Sequence, residues 1–256
     1  MKCSIIKRTF IYYSTIRTVV FGWTSSSMTN EGLVNNLIRD GVVSSESVAN
    51  VLRRLDRREF AKTLASPLTQ RSVQEAYRDS PLPITDGSTI SAPHMLARAL
   101  ELLLPVLIDK KNVRVLDVGS GSGYLTAGLA LLGGEGTIAY GIEHSESLVK
   151  FAETNINNLQ DKQLKQELES RVHFFKSDGW EGLPDKAPFD AIHCGAAAAT
   201  VPDALLNQLA RGGRLIIPVG HRDDAQQLVQ IDKLQDDTLQ LTRLFGVRYV
   251  ELVQKK

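Results

Sequence analysis

The sequence has very little cysteine, with only Cys3 and Cys194 in 256 residues. Two cysteines are too few for a disulfide framework or a four-cysteine zinc site. The five histidines do not supply a metal-ligand spacing such as H-x-x-x-H either. We therefore expect a reducing compartment and no structural metal.

Long apolar runs and a strong net charge are also missing. The longest apolar run near the start, residues 9–16, contains several hydroxyl side chains and is bounded by Arg8 and Arg17. It is shorter than the roughly 20 residues that a helix needs to span a bilayer. The formal net charge is +1, which gives no general attraction to nucleic acid. We expect neither a membrane nor a nucleic acid as a partner.

The first 30 residues contain no acidic side chain, although Lys2, Lys7, Arg8 and Arg17 lie among them. Such a basic, serine-containing start is similar to a mitochondrial transit peptide and lacks the clean apolar region of a secretory signal. A disordered extension, with Met28 as the true start, is the alternative. We predict an extension over residues 1–28 and one domain over residues 29–256. The expected location is the cytoplasm, or the mitochondrion if residues 1–27 are a transit peptide.

Residues 29–112 have the pattern of a helical cap followed by a loop. Apolar residues recur at helical spacing after Asn30 and again after Ser44, which predicts two short helices. Residues 61–91 lose that periodicity and gather proline, glycine and hydroxyl side chains, as in a loop. A further helix is predicted to follow Pro93, which suits a first helical turn.

Strands and helices alternate from residue 113 onward. A short apolar strand over residues 113–118 runs into a glycine-rich loop and then a helix over residues 124–132. The alternation predicts an α/β fold with a doubly wound, mainly parallel sheet over residues 113–256 and a strand-rich C-terminal end. Further strands are predicted at residues 137–142, 172–176, 189–194, 213–218, 228–231, 239–244 and 247–252. An amphipathic helical region is predicted at 148–168 and a helix at 203–209.

The spacing in the glycine-rich loop argues against a dinucleotide. Gly119, Gly121 and Gly123 occupy positions one, three and five, whereas the dehydrogenase fingerprint has glycines at one, three and six. Asp117 precedes the loop, and its carboxylate would repel a diphosphate but attract an ammonium group. S-adenosylmethionine carries an ammonium and a sulfonium group and no phosphate, so it suits this loop better.

Two more acids follow the next predicted strands. Glu143 lies where a carboxylate can accept hydrogen bonds from both ribose hydroxyls, and Asp178 lies where it can accept from an adenine amino group. Each acid also has a purely structural interpretation. Asp117 and Glu143 suit caps of the turn and of the next helix, and Asp178 suits a turn with Gly179.

Five segments of the sequence resemble the protein-L-isoaspartate O-methyltransferase family, which methylates the carboxylate of isoaspartyl and D-aspartyl residues in ageing proteins. The TISAPHM string is specific to that family, and the resemblance covers about residues 23–252. It implies a methyltransferase sheet with an N-terminal helical cap, S-adenosylmethionine as cofactor, and isoaspartyl-containing proteins and peptides as substrates. We expect a monomer. The segments are DRREF (56–60), TISAPHM (89–95), LDVGSGSG (116–123), DAIHCGAA (190–197) and GGRLIIPVG (212–220).

The resemblance also implies roles for individual residues. It makes Ser91 the active-site hydroxyl, with Thr89 and His94 beside the substrate, although a serine before Pro93 also suits a helix cap. No general base is required, because a carboxylate with a reference pKa of about 3.9 is already ionised at pH 7. The implied cofactor-binding residues are Ile84, Thr85, Asp86, Gly87, Asp117, Gly119, Ser120, Gly121, Glu143, His144, Asp178 and Gly179.

The cofactor loop departs from the family pattern at two positions. Thr85 replaces a glycine, and Asp86 stands where an uncharged residue is common. We expect the added carboxylate to change the affinity for the cofactor or to repel an acidic substrate. The alternatives from other classes are a dehydrogenase, a catalytically silent S-adenosylmethionine binder and a small-molecule methyltransferase.

Overall fold

A computed structural model describes residues 10–13, 25–61, 74–221 and 224–253. The strands are β1 (Phe10–Tyr13), β2 (Leu82–Pro83), β3 (Thr89–Ile90), β4 (Arg114–Val118), β5 (Ile138–Glu143), β6 (Val172–Lys176), β7 (Phe189–Cys194), β8 (Leu209–Val219), β9 (Gln226–Lys233) and β10 (Leu239–Val247). The helices are α1 (Asn30–Arg39), α2 (Glu46–Arg54), α3 (Arg57–Phe60), α4 (Pro93–Leu107), α5 (Tyr124–Leu132), α6 (Glu146–Asn157), α7 (Lys162–Glu169) and α8 (Asp203–Gln208).

An eight-stranded sheet has the order β1-β10-β9-β8-β7-β4-β5-β6. Strands β8, β7, β4, β5 and β6 are parallel, whereas β9 is antiparallel to both of its neighbours, β8 and β10. The predicted doubly wound, mainly parallel α/β fold is confirmed. The strand order reverses between β4 and β7, and in such sheets the crevice at the carboxyl ends of the strands at this point is where ligands bind.

Buried side chains fill both faces of the sheet. On one face, α2, α4 and α5 supply leucines such as Leu55, Leu100 and Leu129, while on the other Phe189 and Leu205 belong to a second cluster. Each of these five side chains is completely or almost completely buried. Burial of one such side chain contributes about 1.5–3 kcal/mol, so the two clusters hold the strand ends in fixed positions.

Two predicted elements differ from the structure. The amphipathic region at 148–168 is two helices, because Asp161 caps α7 by accepting N–H groups of Gln163 at 2.9 Å and Leu164 at 3.0 Å. The strand predicted at 247–252 is wrong, since β10 ends at Val247 and the chain turns back over the sheet edge. There the backbone N–H of Ala197 donates to the carbonyl of Val250 at 2.7 Å.

Two residues just before the predicted domain boundary at residue 28 contact the domain. Ser25 is buried and its hydroxyl donates to Asp40 at 2.8 Å, and the backbone N–H of Ser27 donates to the carbonyl of Tyr77 at 3.1 Å. Strand β1 pairs in parallel with β10. The rest of the predicted extension lies outside the described residues. Among the helices that the structure describes, none combines the length and apolarity needed to cross a membrane.

Candidate active site

A cavity of about 610 Å³ lies at the carboxyl ends of β4, β5 and β7. Its volume is in the range of about 300–1,000 Å³ that is usual for small-molecule sites. Ile84, Thr85 and Asp178 do not line it, although Ile84 Cδ1 lies 3.6 Å from the position that a Cβ on Gly121 would take. The predicted residues that line the cavity are Asp86, Gly87, Thr89, Ser91, His94, Asp117, Gly119, Ser120, Gly121, Glu143, His144 and Gly179.

The glycine-rich loop is fixed to the end of β5. The backbone N–H groups of Gly119 and Ser120 donate to the carbonyl of Ile142 at 2.9 and 3.2 Å. Gly121 has a φ of 52°, in the left-handed region that glycine adopts most easily. In this conformation its N–H donates to Glu143 Oε1 at 2.9 Å, so the loop and the acid position each other.

Glu143 is a buried acid with acceptor capacity to spare. Besides Gly121, the backbone N–H of His144 donates to Glu143 Oε2 at 3.2 Å. Nδ1 of the His144 ring, which is more than half exposed, also lies 3.3 Å from Glu143 Oε2. A carboxylate has about four acceptor positions, so one stays open and a second opens when a ligand displaces the His144 ring. Burial raises the pKa of Glu143 above its usual range, and the hydrogen bond from Gly121 acts in the opposite direction.

Asp117 is buried at the end of β4 and is held by two side chains. Thr126 Oγ1 on α5 donates to Asp117 Oδ2 at 2.6 Å, and His193 Nδ1 lies 2.8 Å from Asp117 Oδ1. His193 also lines the cavity and was missed by the sequence reasoning. The sequence could have indicated this residue, because His193 belongs to the DAIHCGAA segment, which ends β7 and resembles the family. Asp117 and His193 are register partners on neighbouring strands.

Ser120 is the clearest sign that this half of the cavity fits a polar ligand. Its hydroxyl is buried and, within the described part of the chain, has no hydrogen-bond partner. A buried polar group without a partner costs about 1–3 kcal/mol. A ligand with hydroxyl or amino groups, such as S-adenosylmethionine, would remove that cost.

Asp178 forms the turn that the sequence left open as an alternative. Its Oδ1 accepts the backbone N–H of Trp180 at 2.9 Å, while Gly179 rather than Asp178 lines the cavity. The turn therefore brings Gly179 to the cavity, and the adenine contact of Asp178 stays a prediction.

The TISAPHM segment lines the cavity as well. Ala92, not Ser91, occupies the N-cap of α4, so the interpretation of Ser91 as a capping serine is wrong. His94 is held by Asp79, whose Oδ1 lies 3.0 Å from the backbone nitrogen and 2.7 Å from Nδ1 of His94. Asp79 is buried and was missed by the sequence reasoning, since no motif contains it.

The C-terminal segment closes another side of the cavity. Residues 245–253 line it, and Trp180 Nε1 donates to the carbonyl of Leu252 at 3.0 Å. Ala197 and Glu251 form an isolated parallel bridge. The sequence contains no local signal for this path, because the segment contacts residues more than 50 positions away.

Cys194 is unsuited to nucleophilic chemistry. It is buried, and burial raises the pKa of its thiol to about 12, whereas a reactive cysteine needs a lowered pKa and exposure. Among the described residues there is also no group of three or more His, Cys, Asp or Glu side chains that could hold a metal ion.

The unusual Asp86 contacts two serines at the start of α6. Ser145 Oγ and Ser147 Oγ both donate to Asp86 Oδ2, the latter at 2.7 Å. These hydrogen bonds, first from Ser145 and then from Ser147, lower the pKa of Asp86. The Asp86 carboxylate, which lines the cavity, is thus hydrogen-bonded by two hydroxyl groups of the protein.

Comparison with known proteins agrees with this geometry. The sequence model described as protein-L-isoaspartate(D-aspartate) O-methyltransferase matches residues 28–256. Protein-L-isoaspartate O-methyltransferase 1 of Arabidopsis thaliana is 42% identical, over 91% of this chain and 96% of that protein. The protein-L-isoaspartate O-methyltransferase of Caenorhabditis elegans is 40% identical, over 83% and 87%.

A solved structure shows the same similarity in three dimensions. It is named a protein-L-isoaspartate O-methyltransferase beta-aspartate methyltransferase of Plasmodium falciparum and is a complex with S-adenosyl-L-homocysteine. It has a TM-score of 0.74 and 33% sequence identity, covering 89% of this chain and 99% of that chain. The chain described here belongs to the protein-L-isoaspartate(D-aspartate) O-methyltransferase family.

Proposed function

We propose that this chain transfers a methyl group from S-adenosylmethionine to the free carboxylate of L-isoaspartyl and D-aspartyl residues in damaged proteins and peptides. The observation that carries the proposal is that one cavity joins two walls of different chemistry. One wall, which we call the cofactor wall, has Asp117, Ser120 and Glu143, and the other has Ser91 and His94. The family membership and the named relatives support the same reaction.

The first wall has the donor and acceptor set that S-adenosylmethionine requires. Glu143 would accept the two ribose hydroxyls, Asp117 would attract the ammonium group, and Ser120 would gain a partner for its buried hydroxyl. When bound, S-adenosylmethionine supplies an electrophilic methyl group on a sulfonium centre. The protein therefore needs to orient this group and keep water away from it.

The second wall would orient the substrate carboxylate. That carboxylate is already ionised at neutral pH, so no residue has to remove a proton from it. Ser91 can donate a hydrogen bond to one carboxylate oxygen, which would direct the other toward the methyl group, while Asp79 keeps the ring of His94 in place. Correct placement of two reactants alone can contribute several kcal/mol to catalysis.

Methyl transfer to matched peptides tests the proposal. With isotopically labelled S-adenosylmethionine, an L-isoaspartyl peptide should be methylated, and the same sequence with L-aspartate should be essentially unmodified. A displacement of about 1 Å costs on the order of a hundredfold in rate, and the extra backbone methylene of isoaspartate moves the carboxylate by about that distance. Equal methylation of the two peptides would contradict the proposal.

The Ser91→Ala variant separates the role of the second wall from cofactor binding. It should lower turnover of the isoaspartyl peptide while the S-adenosylmethionine Kd stays close to that of the wild type. Ser91→Thr keeps the hydroxyl and is the matched control. Equal turnover of the isoaspartyl peptide by Ser91→Ala and Ser91→Thr would show that the hydroxyl does not act on the substrate.

Calorimetric titration and the methylation assay together distinguish the proposed enzyme from the three alternative classes of protein. A dehydrogenase would bind NAD, a silent binder would bind S-adenosylmethionine without methylating the peptide, and a small-molecule methyltransferase would leave isoaspartyl peptides unmodified. We expect binding of S-adenosylmethionine, no measurable binding of NAD, and peptide methylation.

The proposal extends to the state of the protein in the cell. We infer a monomer that acts on isoaspartyl-containing proteins in the cytoplasm, with no nucleic acid or membrane as a partner. A mitochondrial location is the alternative if residues 1–27 are a transit peptide. Light scattering of the purified chain tests the first inference, and imaging of the full chain with a C-terminal tag tests the second.

A further inference from the structure

The segment of residues 84–91 is a compact loop whose base is fixed to the protein. The N–H of Ile84 donates to the carbonyl of Ser88 at 2.9 Å, and the N–H of Ser88 donates to the carbonyl of Thr85 at 3.1 Å. The side chain of Ile84 is buried and lies against Gly121. The base of the loop is therefore attached to the glycine-rich loop of the cofactor wall.

The tip of the loop contains Asp86, whose side chain contacts Ser145 and Ser147. Its φ is 59°, a left-handed conformation that costs free energy for a residue other than glycine and is most accessible to Asn and Asp. The residue is exposed, so packing does not impose this conformation. The two hydrogen bonds from Ser145 and Ser147 offset the free-energy cost of this left-handed conformation.

These bonds connect the loop tip to the element that follows Glu143. Ser145 is the N-cap residue of α6, and its side chain makes no cap hydrogen bond within the helix but donates to Asp86. The negative charge of Asp86 thereby lies at the N-terminus of α6, where the helix dipole stabilises an anion. Asp86 supplies from another segment the acidic group that often caps a helix.

We propose that Asp86 is a positioning residue that fastens the loop of residues 84–91 across the cofactor site and slows exchange of the cofactor. The inference rests on the proposed function, since Gly87 and Thr89 of the loop line the same cavity as Glu143 and His144. With Asp86 fastened to Ser145 and Ser147, the loop is held against the segment that follows Glu143. Release of the tip would free the loop from that segment.

The Asp86→Gly variant tests the fastening, because glycine keeps the left-handed backbone and removes the carboxylate. We expect the dissociation rate of S-adenosylhomocysteine, measured by stopped-flow displacement, and its Kd each to rise about fivefold to tenfold. The Tm should change by only a few degrees.

Three further variants separate fastening from other causes. Asp109→Gly is the matched control, because Asp109 is also exposed, has a φ of 60° and does not line the cavity, and it should leave cofactor exchange unchanged. Asp86→Asn keeps a carbonyl acceptor and tolerates the left-handed conformation, so it should restore slow exchange to within about twofold. The double variant Ser145→Ala/Ser147→Ala should reproduce the fast exchange of Asp86→Gly.

A double-mutant cycle decides the inference. Addition of Asp86→Gly to the serine double variant should have no further effect on the dissociation rate, because the interaction is already lost. Unchanged exchange in Asp86→Gly, or effects of the two changes that simply add, would overturn the proposal. If the wild type binds S-adenosylhomocysteine but does not methylate isoaspartyl peptides, the proposed function fails, and the exchange measurements still test Asp86.

Discussion

The hydrogen bond between Thr126 and Asp117 offers a sharp test of how the cofactor wall is built. Both side chains are buried, with 0% and 1% of their surface exposed, and the oxygen to oxygen distance is 2.6 Å. The Thr126→Val substitution replaces the hydroxyl with a methyl group of nearly the same size. It therefore removes the donor without leaving a cavity.

The expected cost follows from the charge of the acceptor. A hydrogen bond to a charged group contributes about 1.5–3 kcal/mol, and a buried carboxylate that loses a donor carries the full desolvation penalty. We expect the free energy of unfolding without cofactor to fall by about 1.5–3 kcal/mol, which lowers the Tm by about 2–4 °C for each kcal/mol in a chain of this size. Because Asp117 loses one of its two positioning contacts, S-adenosylmethionine should also bind about fivefold more weakly.

Urea denaturation gives the stability change, and calorimetric titration gives the affinity. Thr126→Ser is the control, since it keeps the hydroxyl and loses only the methyl group. An unfolding free energy of Thr126→Val within about 0.5 kcal/mol of the wild type would refute the reasoning. An equally large loss in Thr126→Ser would assign the effect to packing instead of the hydrogen bond.

Three other outcomes are expected. Because burial raises the pKa of Glu143, its contribution to stability is present below the usual carboxyl pKa of about 4.3 and is lost as the pH rises through the raised value. The free energy of unfolding of the cofactor-free wild type, measured with urea, should therefore fall relative to that of Glu143→Gln over this pH range. A difference between the two proteins that stays constant with pH would contradict this expectation. In a Cys3→Ser background, Cys194 should react with a thiol reagent at pH 8 only after unfolding, since its thiol pKa is raised to about 12; rapid labelling of the native protein would contradict its burial. A chain that begins at Met28 should unfold at a lower temperature than one that begins at Ser25, because it lacks the buried Ser25; identical Tm values would show that this contact does not contribute.

The parts of the site that the sequence predicted are those that local structure determines. Asp117 ends a short apolar strand and precedes three glycines, and Glu143 ends the next strand of a parallel pair. Since the carboxyl ends of parallel strands lie at one edge of the sheet, their proximity follows from the pattern alone. The same reasoning placed Asp178 near the site, but its turn with Trp180 presents Gly179 to the cavity.

The parts that the sequence did not predict depend on contacts between distant segments. His193 meets Asp117 because β7 returns to lie beside β4, and no local pattern states which strands become neighbours. Asp86 was recognised as unusual, yet the expectation of repulsion took no account of Ser145 and Ser147, which lie 59 and 61 positions away. The path of residues 245–253 over the cavity belongs to the same class of long-range contact.

The buried polar side chains of the cofactor wall give a physical reason why a ligand binds there. Asp117 and Glu143 are buried acids, and the Ser120 hydroxyl is buried without a partner among the described residues. Burial of Glu143 and of the Ser120 hydroxyl lowers the stability of the cofactor-free protein, and both residues line the same cavity as Asp117 at the reversal of strand order. A ligand that supplies an ammonium group and hydroxyls removes these costs together, so binding should stabilise the fold by RT ln(1 + [L]/Kd), about 2.7 kcal/mol at a hundredfold excess over Kd. Polar groups held ready in this way also explain how the reaction can proceed without a catalytic base, because the protein's contribution is orientation rather than proton transfer.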